Sequence, residues 1–253
     1  MMIRRCLNAG IVLSLAAAMV AAGCNGGANM AVPSAGGNGG LTFKVVFPTR
    51  TAQRQAAGSL PIGARSVRIG IQTAGSPSTQ LGQDQVVAAP TTGTTATVTF
   101  PGLPAGPVVV NATANSDLAG QSSPPLATAT QTATIVSGQT TNVTLSFTPT
   151  ITQVVVQPSP ANVGADSGTT TLTAKAETAG GQPVPGAVFF WSSSNTNYAD
   201  VSAPNAGTPS TDGTSQATIT GHAPTPVGSP ATIQVREFSS GLSATDAVTV
   251  QVE

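Results

Sequence analysis

Val67-Arg-Ile69-Gly-Ile71 sets three β-branched apolar side chains two residues apart, with Arg68 and Gly70 between them. Successive side chains of a strand point to opposite faces, so this spacing predicts a β-strand with one face in a core and one in water. The same period recurs on both sides, in Leu41-Thr-Phe43-Lys-Val45, Thr97-Val-Thr-Phe100, Val108 to Ala114 and Thr128 to Val136. From Thr141 to Phe147 it sets Val143, Leu145 and Phe147 against Asn142, Thr144 and Ser146. Short strands separated by Gly, Pro, Ser and Thr turns suggest a β-sandwich.

The pattern pauses at Pro149 and resumes with Ile151 to Val156. Further strands are expected over Thr169 to Glu177, Ala187 to Ser192, Ser215 to Thr220, Ala231 to Arg236 and Ala244 to Val252. No amphipathic helical run follows the first 23 residues. The expected fold class is therefore all-β, two consecutive sandwich domains over residues 41–149 and 150–253.

Arg4 and Arg5 precede an uncharged apolar run from Ala9 to Ala22, which ends in small residues at Cys24. That order is the order of a cleaved secretory signal peptide, and the run is shorter than the ~20 residues of a membrane span. Val20-Ala-Ala-Gly-Cys24 resembles the lipobox of bacterial lipoproteins, with Ala21 where that family prefers Leu. The resemblance implies lipidation at Cys24 and cleavage after residue 23. Residues 24–40 then read as a Gly-rich tether with a reach of roughly 20 Å.

The 253-residue chain has two cysteines, Cys6 and Cys24, so no disulfide is available to the body after processing. Charged residues are 7% and aromatics 4% of the chain, which leaves Val, Ala and Thr to build the sheets. Residues 41–149 carry a net +3 and residues 150–253 a net −5. Opposite charge offers the halves a weak attraction, screened in salt. No basic stripe suggests a nucleic-acid partner.

The second half resembles the bacterial immunoglobulin-like (BIG2-type) domain of surface adhesins. The residues that carry the likeness are Ile151 to Val156, Thr169-Thr-Thr-Leu-Thr-Ala-Lys-Ala176 and Gly180 to Pro185, then Phe190-Trp-Ser-Ser-Ser-Asn195, Ala199-Asp-Val-Ser202 and Gly213-Thr-Ser-Gln-Ala-Thr-Ile219. Two Pro-rich loops, Ala203 to Asp212 and His222 to Pro230, are longer than that family's. In the first half, Phe100-Pro-Gly-Leu-Pro-Ala-Gly-Pro107 leading into Val108 resembles prealbumin-like or carboxypeptidase-regulatory-like sandwiches. These likenesses imply two Ig-like β-sandwiches and a place on the cell envelope.

Chemistry is sparse. His222 is the one histidine, it lies in a Pro-rich loop, and no Gly-x-Ser-x-Gly elbow accompanies it. A solvated loop histidine is expected, not a catalytic base. Asp166, Asp200 and Asp212 are conceivable calcium ligands, though no clustered carboxylate run joins them. No cofactor is expected. In the alternation Ala187, Phe189, Trp191 against Val188, Phe190, the family likeness puts Trp191 in the core, which turns Phe190 outward. Phe190, Tyr198, Arg65 and Arg68 are the expected contact surface, with Arg50 and Arg54 completing a basic set that would suit an anionic polymer or lipid headgroup.

The sequence thus points to a non-enzymatic, lipid-anchored envelope protein, an adhesion or interaction module or a spacer. Its expected partners are the membrane through Cys24 and an envelope polysaccharide or surface protein. Its expected location is extracytoplasmic, at the outer membrane or cell surface if the organism is diderm. An accessory carbohydrate-binding module is the alternative, and a secreted hydrolase a remote one.

Overall fold

A computed structural model describes residues 37–49, 58–158, 161–203, 205–226 and 230–251. The expected leader, Cys24, Arg50 and Arg54 lie outside the described residues. The described chain is all-β. Eight strands come from its first part: β1 (Asn38–Val46), β2 (Ser66–Thr73), β3 (Gln85–Ala88), β4 (Thr95–Pro104), β5 (Gly106–Asn115), β6 (Ala127–Ile135), β7 (Thr140–Val143) and β8 (Thr148–Pro149). They form two sheets, ordered β4-β1-β7 and β3-β2-β5-β6-β8, with β1 and β7 parallel and the other pairs antiparallel.

Alternation decides what faces the space between these sheets. β1 buries Leu41, Phe43 and Val45, β2 buries Val67, Ile69 and Ile71, and β5 buries Val108, Val110 and Ala112. Phe43 meets Phe100 edge to face, with centroids 5.7 Å apart and planes at 85°. That geometry adds about 1 kcal/mol to the area each ring buries.

Two expectations change here. β1 begins at Asn38, inside the stretch read as tether, because Asn38 and Gly39 pair with Pro104 and Leu103. The glycines serve close approach there: a methyl group on Gly39 would lie 2.3 Å from the Val136 carbonyl oxygen. The strand expected over Thr141 to Phe147 ends at Val143. The chain then leaves one sheet for the other, with buried Phe147 bridging to Gly58 and Thr148–Pro149 joining β6.

Eight further strands are β9 (Gln153–Gln157), β10 (Ala161–Gly164), β11 (Thr169–Glu177), β12 (Phe189–Ser193), β13 (Ala199–Ser202), β14 (Thr214–Gly221), β15 (Ala231–Glu237) and β16 (Ser243–Gln251). Their sheets are ordered β13-β14-β11-β9 and β10-β16-β15-β12. Lettered in chain order with β9 and β10 as a split first strand, one sheet is D-E-B-A and the other joins C, F and G. That is the immunoglobulin arrangement. The first eight strands have a different order, so the halves are two sandwiches and not two copies of one wiring. Trp191, on the C-position strand β12, is half-buried and spans the sandwich, its Nε1–H donating to Ser215 Oγ of β14 at 3.0 Å.

The sandwiches meet through backbone and apolar groups. A methyl on Gly63 would lie 1.9 Å from the Gly186 carbonyl oxygen. Gly186 has a φ of +89°, and a methyl there would meet Ser116 Cβ at 2.5 Å and Leu126 Cδ1 at 2.9 Å. Thr150 ties the connection down. Its N–H donates to the Leu126 carbonyl at 3.0 Å, and its hydroxyl to the Pro125 and Leu126 carbonyls. Ile151 is buried next to it, and the apolar cores of the two sandwiches form one continuous cluster. No ion pair between the halves occurs among the described residues, so the opposite net charges do not make this junction.

Gly63→Ala is expected to force the junction apart, costing about 2 kcal/mol as an overpacking change. For a body of this size that lowers Tm by about 4–8 °C. Differential scanning calorimetry checks it, and an unchanged Tm would show that the glycine contact carries no stability.

Candidate functional site

Two surfaces each hold one of the side chains that sequence pattern marks for contact, Phe190 on the second sandwich and Arg68 on the first. On the second sandwich, Phe190 of β12 is 45% exposed and stands opposite Arg236 of β15. Its ring lies 5.7 Å from that of Phe238, tilted by 50°. The long loop after β13 supplies the rest. Gly207 N–H donates to the Phe189 carbonyl at 2.9 Å and Ser210 N–H to the Ala187 carbonyl at 2.8 Å, so this loop runs along the start of β12. Gly207 lies beside the Phe190 ring, where a methyl would come 3.4 Å from its Cε1.

Tyr198 does not join this surface. It is half-buried against the core, and its carbonyl accepts the His222 N–H at 2.8 Å. The ring partner of Phe190 among the described residues is Phe238. Neither Phe238 nor Arg236 was marked by the sequence, since a hairpin turn and a register bring them to Phe190.

Arg65 and Arg68 also separate. Arg65 is exposed before β2, its backbone bonded to Asn115 and Ala89. Arg68 is half-buried on β2, and its Nε is buried without a hydrogen-bond partner. It borders a cleft of about 230 Å³ with Gly70, Gln80, Asp84, Asn111 and Thr113. Within that cleft Gln80 Nε2–H donates to Asp84 Oδ1 at 2.8 Å.

The three acids considered for calcium have other duties or stand apart. Asp200 Oδ2 lies 2.9 Å from His222 Nε2, both side chains about half exposed. His222 lies just after β14, exposed and in the loop, and its ring stands within hydrogen-bond distance of Asp200. Asp212 folds on its own loop, accepting from the Thr214 hydroxyl at 2.8 Å and from the Ser210 hydroxyl at 2.9 Å. Asp166 lies in the turn after β10 with a φ of +55°. Among the described residues, no three His, Cys, Asp or Glu side chains cluster to hold a metal ion.

Two acids are enclosed by the second sandwich. Glu237 is fully buried and satisfied: Oε2 accepts the Ser240 N–H and hydroxyl, both at 2.7 Å, which closes the turn between β15 and β16. Asp246 faces Ile233 across the β15–β16 ladder, 1% exposed, and neither carboxylate oxygen has a partner.

Asp212 and Asp117 titrate low. For Asp212 the Thr214 hydroxyl bond is the largest influence, and it outweighs the opposing effect of burial. For Asp117 burial is the largest single influence and pushes the other way. The backbone N–H groups of Gln121, Ala119, Ser122 and Gly120 together overcome it.

No protein-family model and no curated protein matches the chain. Among solved structures, the Escherichia coli adhesin FdeC shares 19% identity at a TM-score of 0.28. The alignment covers 84% of this chain and 62% of that one. The Dpr2 Ig1-Ig2 complex with DIP-Theta Ig1-Ig3 shares 10% identity at a TM-score of 0.24, covering 85% and 65%. The chain therefore spans less than two thirds of either structure, and its fold rests on its own strand order.

A carboxyl whose folded pKa lies below its unfolded value stabilises the fold fully above the unfolded value, and that stability is lost as pH falls through the folded one. The unfolded reference for both aspartates is 3.8. Tm should therefore decline in acid below about pH 4, and the Asp117→Asn, Asp212→Asn double variant should show a shallower decline. Thermal melts across the acid range check this, and an identical acid limb would contradict it.

Proposed function

We propose that the chain is a non-enzymatic, lipid-anchored envelope protein whose two sandwiches form an adhesion or interaction module. The boundary proposed for them is residue 149/150, where strand pairing changes partners. The observation that carries the reading is the exposed Phe190 ring, packed on half-buried Phe238 and opposite Arg236, with the loop after β13 beside it. Aromatic rings and arginine concentrate binding energy at protein interfaces. Phe190 packs one side of its ring on Phe238 and leaves 45% of itself exposed, which offers a partner an apolar contact. A BIG2-type domain is the family reading of the second half, supported by its immunoglobulin strand order and the residues quoted above.

The leader, the Cys24 anchor and the envelope location belong to the same proposal. Their support is the order of charged, apolar and small residues up to Cys24. The tether is then residues 25–37, with a reach of about 20 Å.

Two measurements test the proposal. Metabolic labelling with a fatty acid should mark the wild type and miss Cys24→Ala, and equal labelling would overturn the anchor. Envelope polysaccharides and surface proteins should be retained on the immobilised chain, with retention falling at least tenfold in Phe190→Ser while the fold is kept. Undiminished retention would overturn the role of Phe190, and no retention of any partner would leave a spacer.

A further inference from the structure

The cleft beside Arg68 is built more carefully than a chance depression on a sheet. Gly70 sits in the middle of β2, where glycine weakens a strand and marks a close approach. Here the approaching group is Asp84: a methyl on Gly70 would lie 2.6 Å from Asp84 Oδ1. The missing side chain lets the carboxylate fold over the sheet face. Residues 74–84 are fastened to β2 to keep it there. Thr73 N–H donates to the Thr79 carbonyl at 2.8 Å, Leu81 N–H to the Ile71 carbonyl at 2.7 Å, and Gln80 Nε2–H to Asp84 itself.

The donors opposite are fixed too. The stem of Arg68 packs near Val86 and Gly120, where a methyl on Gly120 would lie 3.5 Å from Arg68 Cβ and 3.2 Å from both Val86 methyls. On β5, Asn111 Oδ1 accepts the Thr130 hydroxyl at 3.1 Å, which leaves its NH₂ group unengaged. Thr113 Oγ1 accepts from Asn115 Nδ2 at 3.2 Å, which leaves its own hydrogen to donate. Arg68 and Asp84 line the same cleft without pairing. Among the described residues no Arg or Lys lies within salt-bridge distance of an Asp or Glu.

The cleft therefore offers a donor-only guanidinium, an acceptor-only carboxylate, and neutral amide and hydroxyl groups between them. Its formal charge is zero. An anionic ligand meets Asp84, and a cationic one meets Arg68. A neutral group with adjacent hydroxyls suits both, because each hydroxyl donates and accepts at once. We propose that this cleft binds a neutral sugar unit through vicinal hydroxyls, with Asp84 accepting and Arg68, Asn111 and Thr113 donating. The volume, about 230 Å³, lies below the range of pockets that enclose drug-sized ligands, and it fits one sugar ring. No aromatic ring lines the cleft to stack on the sugar, so single-site affinity is weak and repeated units of a polymer would supply avidity. The proposal rests on the interaction-module reading for its purpose, but its site is separate from the Phe190 surface.

The test is an amide chemical-shift titration of the full chain, carrying Cys24→Ala to keep it free of lipid, with glucose, galactose, mannose and N-acetylglucosamine. At least one sugar should give saturable shifts confined to residues 68–72, 80–84 and 111–113, with a Kd of the order of millimolar. Asp84→Asn and Arg68→Gln should each weaken that response at least tenfold, with shifts elsewhere unchanged. Absence of saturable shifts in the cleft with all four sugars overturns the proposal. A stronger response to glycine or inorganic phosphate overturns the ligand class. Sugar shifts gathered at Phe190 overturn the site and leave the interaction module standing, whereas cleft binding with no partner retained at Phe190 overturns only that surface.

Discussion

Burial of alternate side chains between facing sheets is the interaction on which the structure depends. Both cysteines precede residue 25, so no disulfide can cross-link either sandwich. The cores are made largely from Val, Ala, Ile and Leu, with Phe43, Phe47, Phe100, Phe147 and Phe189 as the large members. Small β-branched side chains pack well on a pleated surface but contribute less buried area each than aromatics. Stability must then come from many well-registered pairs, which explains the long β1–β4, β2–β5, β5–β6 and β11–β14 ladders. It also explains how a surface so rich in threonine and glycine can surround an ordered interior.

Glycine does a second kind of work. The absence of a side chain permits a close approach to the Val136 carbonyl at Gly39, across the sandwich junction at Gly63 and Gly186, and to the Asp84 carboxylate at Gly70. The first seats the start of β1, and Gly63 and Gly186 join two sandwiches into one continuous core. Gly70 makes a polar cleft on what would otherwise be a flat sheet. A composition that reads as flexible therefore includes positions where glycine is needed for close packing.

Most of the strands are legible in the sequence because period-two alternation is a local signal. Thr169 to Glu177 matches β11 at both ends, and Val67-Arg-Ile69-Gly-Ile71 lies wholly within β2. β3 and β10 escape it, since four residues hold too few alternations to stand out. Alternation also misleads at Leu145 and Phe147, which keep their period while the chain changes sheet. Asp246 has the opposite problem. An acid in a strand reads as outward-facing, yet its register opposite Ile233 puts it inside. A buried carboxylate without partners costs stability, and replacing such groups with apolar ones is often neutral or favourable. Of the contact residues, Phe190 is legible from its neighbours' alternation, whereas the cleft around Arg68 is not. Its members come from β2, β5 and the loop before β3, and only long-range pairing brings Asp84 to Gly70.

Two sandwiches of different wiring are held as one body by a continuous apolar core. Residual dipolar couplings of backbone amides in residues 58–149 and 153–251 test it directly. One shared alignment tensor for both sets is the predicted result, since the Gly63–Gly186 contact and the Thr150 hydrogen bonds leave no free hinge. Two tensors of different magnitude and orientation would contradict it and would make the chain a pair of beads on a flexible link.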